Sequence, residues 1–249
     1  MPTPAPADLT PTADCEACPH HQSLLAAGEC RPGDICILAN SGRQIDRFLS
    51  RHPGYAADHL TDAFWERRAI AVRYAPQDSI LALAEDPDEA VRRAVAYRLP
   101  LDQLPRMIND PDREVRITVA DRLPTGQVEV LARDEDYLVR VYVARRLPLG
   151  RLFSMICDPD PAVRKEVARR LPLPSLSLMA NDPDMEVRRI VVERMPDSML
   201  ILMLGDPEWL IRYLAAERAP AASIGRLIHD PDPEVRRIVH QRLGTSPEE

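Results

Sequence analysis

Four cysteines stand within 22 residues of one another: Cys15, Cys18, Cys30 and Cys36, in the pattern C-x2-C-x11-C-x5-C. Thiolates are soft, anionic ligands, and four of them together hold either zinc or an iron–sulfur cluster. The residues between them suit short loops that double back around a centre, with Pro19, Gly28, Pro32 and Gly33 as turn formers. The spacing leaves the metal open. Zinc ribbons use two C-x2-C knuckles, whereas the second pair here is C-x5-C. The bacterial ferredoxin run carries proline after its last cysteine, whereas Ile37 follows Cys36. His20 and His21 adjoin the C-x2-C pair and become candidate ligands if the metal is zinc; with four cysteines present they are expected to be ordinary polar residues. Cys157 lies far from the others. It occupies a slot filled elsewhere by Asn109, Arg133, Asn181, Gly205 and His229, so it is expected to be a bystander thiol.

Most of the remaining chain is one sentence rewritten. An aspartate recurs every 24 residues, at Asp62, Asp86, Asp110, Asp134, Asp158, Asp182, Asp206 and Asp230. A fixed period of that length is the signature of a solenoid, in which each unit buries its apolar face against its neighbours. In the unit from Asp86, the aspartate reads as an N-cap and Pro87 as the first helical residue. Val91, Val95 and Leu99 recur at helical spacing, and Pro100 stops the helix. The same stop falls at Pro76, Pro124, Pro148, Pro172, Pro196 and Pro220, with Gly244 in the last unit. One α-helix of about 12 residues, roughly 18 Å long, is predicted per unit. The second half, Leu101–Asn109, spaces Leu101, Leu104 and Met107 by three with Pro105 inside, which suits a short 3₁₀ turn. A strand is the alternative at this period, but the LxxLxL core and asparagine ladder of ordinary leucine-rich repeats are missing. The expectation is an all-α chain of alternating α- and 3₁₀-helices, repeated eight times from Asp62 to Leu243.

The domains follow: residues 1–61 form a cysteine-rich module, of which 1–14 are expected to be flexible, and 62–249 form the repeats. A solenoid needs a polar cap over its exposed end. The module is expected to supply it by packing on the first repeat, with Phe64 or Trp65 at the interface. His52 and His59, in the connector, are placed on one helix face.

Two arginine columns run through the repeats. Arg68, Arg92, Arg116, Arg140, Arg164, Arg188, Arg212 and Arg236 form the first. Seven of them have a carboxylate four residues earlier, at Asp88, Asp112, Asp136, Asp160, Asp184, Glu208 and Asp232, which reads as local i, i+4 pairing. Arg68, with Phe64 in that position, is the unmatched member. Arg98, Arg122, Arg146, Arg170, Arg194, Arg218 and Arg242 form the second column, where cations complement the helix dipole.

The DPxxxVRxxVAxRLP unit with its LxxLxxM tail closely resembles the leucine-rich repeat variant family, which joins such repeats to an N-terminal cysteine cluster. The resemblance covers both halves of the chain. It implies a right-handed superhelix of alternating α- and 3₁₀-helices. It also implies a [4Fe-4S] centre, with Cys15, Cys18, Cys30 and Cys36 at the four ligand positions.

Other functions find little support. The chain carries a net charge of -7, against the basic balance of a general nucleic-acid binder. It has no secretory signal and no stretch approaching the roughly 18 apolar residues of a membrane span, so a cytoplasmic protein is expected. There is no phosphate loop, G-x-S-x-G or H-E-x-x-H motif, so it is expected not to be an enzyme. The reading is an iron–sulfur adaptor: the repeats bind another protein and the cluster serves electron transfer or a redox-dependent interaction. A purely structural cluster or zinc is the alternative, and a redox-sensing nucleic-acid binder acting through the arginine columns is the third.

Overall fold

The computed structural model describes residues 10–245. The expected flexible stretch lies outside the described residues as far as residue 9; beyond it, the Pro11 carbonyl accepts a hydrogen bond from Gln44 Nε2 at 2.7 Å. The chain divides into two compact units, Met1–Leu123 and Pro124–Glu249. Both are built from ten- or eleven-residue α-helices alternating with short 3₁₀ segments, and the described residues contain no strand. No helix among them is long and apolar enough to cross a membrane.

One repeat shows why the sequence folds this way. The helix Glu89–Arg98 buries Val91 and Val95 completely and ends at Leu99, which is also buried. Full burial of such side chains contributes about 1.5–3 kcal/mol each. Leu99 turns to extended backbone, ψ 143, as the following Pro100 requires. A 3₁₀ turn at Leu104–Met107 then buries both of its ends. Leu101, expected to join them, is instead 48% exposed. Several repeats precede the 3₁₀ segment with one α turn, as at Gln77–Ile80, Leu149–Leu152 and Ala221–Ile224.

The helix start corrects the sequence reading. The cap is the second aspartate of the DPD triplet: Asp88 accepts from the Ala90 amide at 3.0 Å, and the helix begins at Glu89. Asp112, Asp136, Asp160, Asp184 and Asp232 cap their helices in the same way. Pro87 therefore lies in the turn before the cap, and the helix has 10 residues where 12 were expected.

The first aspartate does different work. Asp86 Oδ1 accepts from the Asp88 amide at 2.9 Å, and both of its oxygens face Arg68 of the preceding repeat, with Arg68 Nε and Nη2 each at 2.8 Å. Arg92 grips Asp110 in the same bidentate manner within the first unit. In the second unit Arg140, Arg164, Arg188 and Arg212 hold Asp158, Asp182, Asp206 and Asp230. Each arginine also donates through Nη1 to carbonyls of its own turn, as Arg92 does to Asp86 and Pro87. The i, i+4 pairing predicted for this column is thus replaced by buried rungs spanning 18 residues, and Arg68 is matched after all. Geometry decides: only the carboxylate of the next repeat meets the guanidinium edge two-to-two. Burial on its own would raise the pKa of Asp86, but the Arg68 hydrogen bonds, the Asp88 amide and the charges of Arg68 and Arg92 outweigh it and hold the carboxyl below its usual range. Asp230 is held low by the same balance with Arg212.

The second column also reaches across repeats. Arg98 Nη1 donates to the carbonyls of Val72 at 2.7 Å and Ala75 at 3.0 Å, so it caps the C-terminus of the preceding helix. Arg122 binds Ala96, Arg170 binds Ala144 and Arg218 binds Val192 and Met195 in the same way. The dipole reading of these cations holds, applied to the neighbouring helix instead of their own.

Candidate metal centre

The cysteine module is made of turns and one real helix. Cys15 and Cys18 flank a turn closed by Cys18 N to Cys15 O at 3.3 Å, followed by a single π turn at His21–Leu25. Gly28 and Gly33 adopt φ of 70° and 80°, the left-handed region that glycine enters without strain. They fold the chain back so that Cys30 and Cys36 come to the C-x2-C pair. Arg31 and Ile35 pair across that second turn in a short antiparallel bridge.

The helix Gly42–Arg51 was not among the expected elements, although Ile45, Phe48 and Leu49 carry the i, i+3, i+4 spacing that marks one. Their buried face, with Ile35, Ile37, Ala39 and Ala56, gives the module a core of its own. His52 and His59 do not share a helix face. His52 ends this helix, with Nε2 3.2 Å from the Glu29 carbonyl, and His59 lies in the 3₁₀ segment Pro53–His59. Burial, outweighing the pull of Asp62, lowers the His59 pKa.

All four predicted cysteines line one small cavity of about 20 Å³, together with Ala13, His21, Leu25 and Pro32. All four are free thiols. Burial, then Cys36 and Cys18, pushes the Cys15 thiol up; burial, then Cys36, Cys18 and Cys15, does the same to Cys30. Each sulfur thus lies within the electrostatic reach of its fellows, and gathering several thiolates there calls for a strongly positive centre. Among the described residues no three His, Cys, Asp or Glu are drawn together in the manner of a site for one ion. The donor set, four thiols and an apolar wall, matches what iron–sulfur clusters use.

The histidines next to Cys18 divide. His21 borders the cavity and its Nδ1 donates to the Cys15 carbonyl at 2.6 Å, so it braces the loop. His20 turns away to stack edge-on with Tyr55, ring centroids 4.9 Å apart. Cys157 is exposed and is not among the residues lining this cavity.

The module meets the first repeat through a residue that sequence reasoning passed over. Arg67 is buried and donates from Nε to the Ile37 carbonyl at 2.6 Å, from Nη2 to the Leu38 carbonyl at 3.0 Å and from Nη1 to both Asp62 oxygens at 2.7 Å. Its acceptor Ile37 directly follows Cys36. Tyr74 adds a hydrogen bond to Asp46 at 3.0 Å. The packing was expected, but not its agents: Trp65 is 42% exposed, and Phe64 lies against Arg67 with its ring centroid 5.6 Å from the guanidinium. A signal was present. The position of Arg67 is Val91, Val115, Val139, Val163, Val187, Ile211 and Val235 in the later repeats. An arginine in a core valine slot announces carbonyls to bind.

A helical repeat array joined to a four-cysteine module defines the class, and comparison with known proteins defines the family. Residues 11–58 match the family described as LRV protein FeS4 cluster, and residues 89–112 and 161–184 match the leucine rich repeat variant. A solved structure described as a leucine-rich repeat variant with a novel repetitive protein structural motif is 54% identical, covers 94% of this chain and all of its own, and superposes with a TM-score of 0.89. A curated relative from Rhodobacter capsulatus, an uncharacterized 27.7 kDa protein in the nifB 3′ region, is 38% identical over 98 residues, which span 39% of this chain and 40% of that protein. The chain belongs to the leucine-rich repeat variant family of iron–sulfur repeat proteins.

Proposed function

We propose that the protein is a non-enzymatic iron–sulfur adaptor of the cytoplasm. Cys15, Cys18, Cys30 and Cys36 hold a [4Fe-4S] cluster, and the repeat surface binds another protein. The observation that carries this reading is the convergence of all four thiols on one cavity, joined to the family match over the same residues. Such a cluster supplies one-electron chemistry at a potential set by hydrogen bonds, charge and exposure. The chain's own contribution is to seat it: His21 braces the Cys15 loop, and Arg67 fixes the backbone immediately after Cys36. Protein isolated without oxygen is expected to be brown and to hold about four irons and four sulfides per chain. One zinc in colourless protein would replace the assignment. A reversible reduction, followed by its visible spectrum, separates an electron-carrying role from a structural one.

The structural role has its own support. Arg67 joins the module directly to the first repeat, so a cluster there also serves to hold a small cap in shape, as small domains commonly require.

A further inference from the structure

An open groove of about 650 Å³ lies in the first unit, between the helices Gly42–Arg51, Trp65–Tyr74 and Glu89–Arg98. Its floor is small and apolar, with Gly42, Ala69, Ile70, Ala90 and Ala94. Two aromatic side chains rise from it, Trp65 at 42% and Tyr97 at 55% exposure. Large aromatics left in water beside a shallow apolar floor are the residues that dominate protein interfaces, together with arginine.

The charge of the groove runs against that of the molecule. The chain is acidic at -7, yet four arginines line the groove, Arg43, Arg73, Arg93 and Arg98, against two carboxylates, Asp46 and Glu66. Arg98 is engaged by the carbonyls of Val72 and Ala75. Arg73 meets Asp46 at 3.3 Å with both side chains largely in water, a pairing of little worth. Arg43 and Arg93 form no ion pair among the described residues. Arg93 instead lies over the Tyr97 ring, 5.8 Å from its centroid, which holds the guanidinium out over the groove without neutralising it. The rung arginines Arg68, Arg92, Arg140, Arg164, Arg188 and Arg212 are each matched to an aspartate, whereas these two cations have no carboxylate partner among the described residues.

We infer that this groove is the docking site for an acidic segment of a partner protein, in which carboxylates meet Arg43 and Arg93 while an apolar side chain settles between Trp65 and Tyr97. This deepens the proposed adaptor reading and rests on its premise that the repeats bind protein. The helix Gly42–Arg51 belongs to the cysteine module and forms one wall. The partner would therefore contact the cluster-bearing part and the repeats at once. A single nucleic-acid strand could also stack on aromatics between arginines, but the acidic molecule around the groove opposes a long polyanion while tolerating a short acidic peptide.

The test uses the full, cluster-loaded chain carrying Trp209→Phe, so that Trp65 is the sole tryptophan, with a labelled synthetic peptide of alternating glutamate and leucine. Binding is expected to be seen by anisotropy, to shift Trp65 emission and to weaken as salt is raised. Arg43→Glu with Arg93→Glu, both exposed and unpaired, should weaken it at least tenfold, and a lysine–leucine peptide should then bind in its place. Absence of binding, unchanged affinity in the double variant, an unmoved Trp65 emission, or tighter binding of a single-stranded oligonucleotide would each overturn the assignment. The broader reading is kept separate by a photo-crosslinking side chain placed at Tyr97 or at Trp209. Protein adducts from the Trp209 position with none from Tyr97 would leave the repeats a protein-binding surface and remove the groove. Iron and sulfide measured on the same samples keep the cluster assignment independent of both outcomes.

Discussion

The cysteine module and the repeats bury polar groups in opposite ways. A repeat takes an arginine and an aspartate out of water together, and the two-to-two geometry of Arg92 on Asp110 satisfies both. The module gathers four thiols, only Cys36 of them buried, around a cavity that no arginine or lysine among the described residues lines, and burial with the charges of Cys36 and Cys18 raises the Cys15 and Cys30 pKa values. The residue 24 positions before Arg68, where another rung would begin, is Gln44; it is fully buried, and its Oε1 has no hydrogen-bond partner among the described residues. Asp62, left without a rung arginine behind it, turns to Arg67 and His59. The repeats therefore carry their electrostatic cement in their own sequence. The module leaves its charge balance to a bound centre and its attachment to Arg67.

The sharpest way to break this contrast is to remove a ligand. Cys30→Ser should abolish iron binding and loosen residues 15–40 to hydrogen exchange while the helices of the repeats keep their protection; Cys157→Ser should change neither. Equal loss of iron from the Cys157 variant would show that the ligand set is wrong.

Next in size is a rung. Asp158→Ala leaves Arg140 buried without its carboxylate and should cost about 3–5 kcal/mol in urea unfolding. Two residues on, Asp160→Ala removes only the cap on Ala162 N and should cost about 0.5–2 kcal/mol. Equal costs for the two would mean that the inter-repeat pairs add nothing beyond a cap.

Arg67→Ala tests the join. Its loss strands the Ile37 and Leu38 carbonyls and should weaken the first unit by about 1.5–3 kcal/mol, the worth of a hydrogen bond to a charged group. Limited proteolysis between residues 51 and 65 should rise, with the second unit unaffected.

The smallest effect is that of acid. Asp86 and Asp230 titrate below their unfolded value, so the stability they confer is present above about pH 3.9 and is lost as pH falls through the lower folded values. Helix content monitored from pH 6 to pH 2 should stay level until that region. An earlier loss, near pH 6, would point to the histidines of the module instead.

The limits of the sequence reading follow the same division. Helices, their proline stops and the 3₁₀ turns were legible because each depends on residues within one unit. The rungs were not. Asp88 and Asp110 both offer Arg92 a carboxylate, and only the stacking of one repeat on the next decides between them. The cap was placed two residues early for the same reason: in a DPD triplet either aspartate could serve, until the first is drawn to its neighbour's arginine. The four cysteines were readable as a set, while the walls of their cavity were not. The helix Gly42–Arg51 was readable and overlooked, its apolar positions hidden in a stretch rich in glycine, proline and cysteine.

Within each unit a rung reaches one repeat forward and no further, from Arg68 to Asp86 in the first or from Arg212 to Asp230 in the second. Such wiring is indifferent to length. If a segment of 24 residues is duplicated in register, each arginine of the copy finds an aspartate ahead of it and each aspartate finds an arginine behind. If one is deleted, the ends on either side can bond to each other as their former neighbours did. A gene for this protein could therefore grow or shrink by whole repeats without passing through a product that contains an unpaired buried charge. The first repeat, where Arg67 stands in place of valine, is tied to its position in the chain.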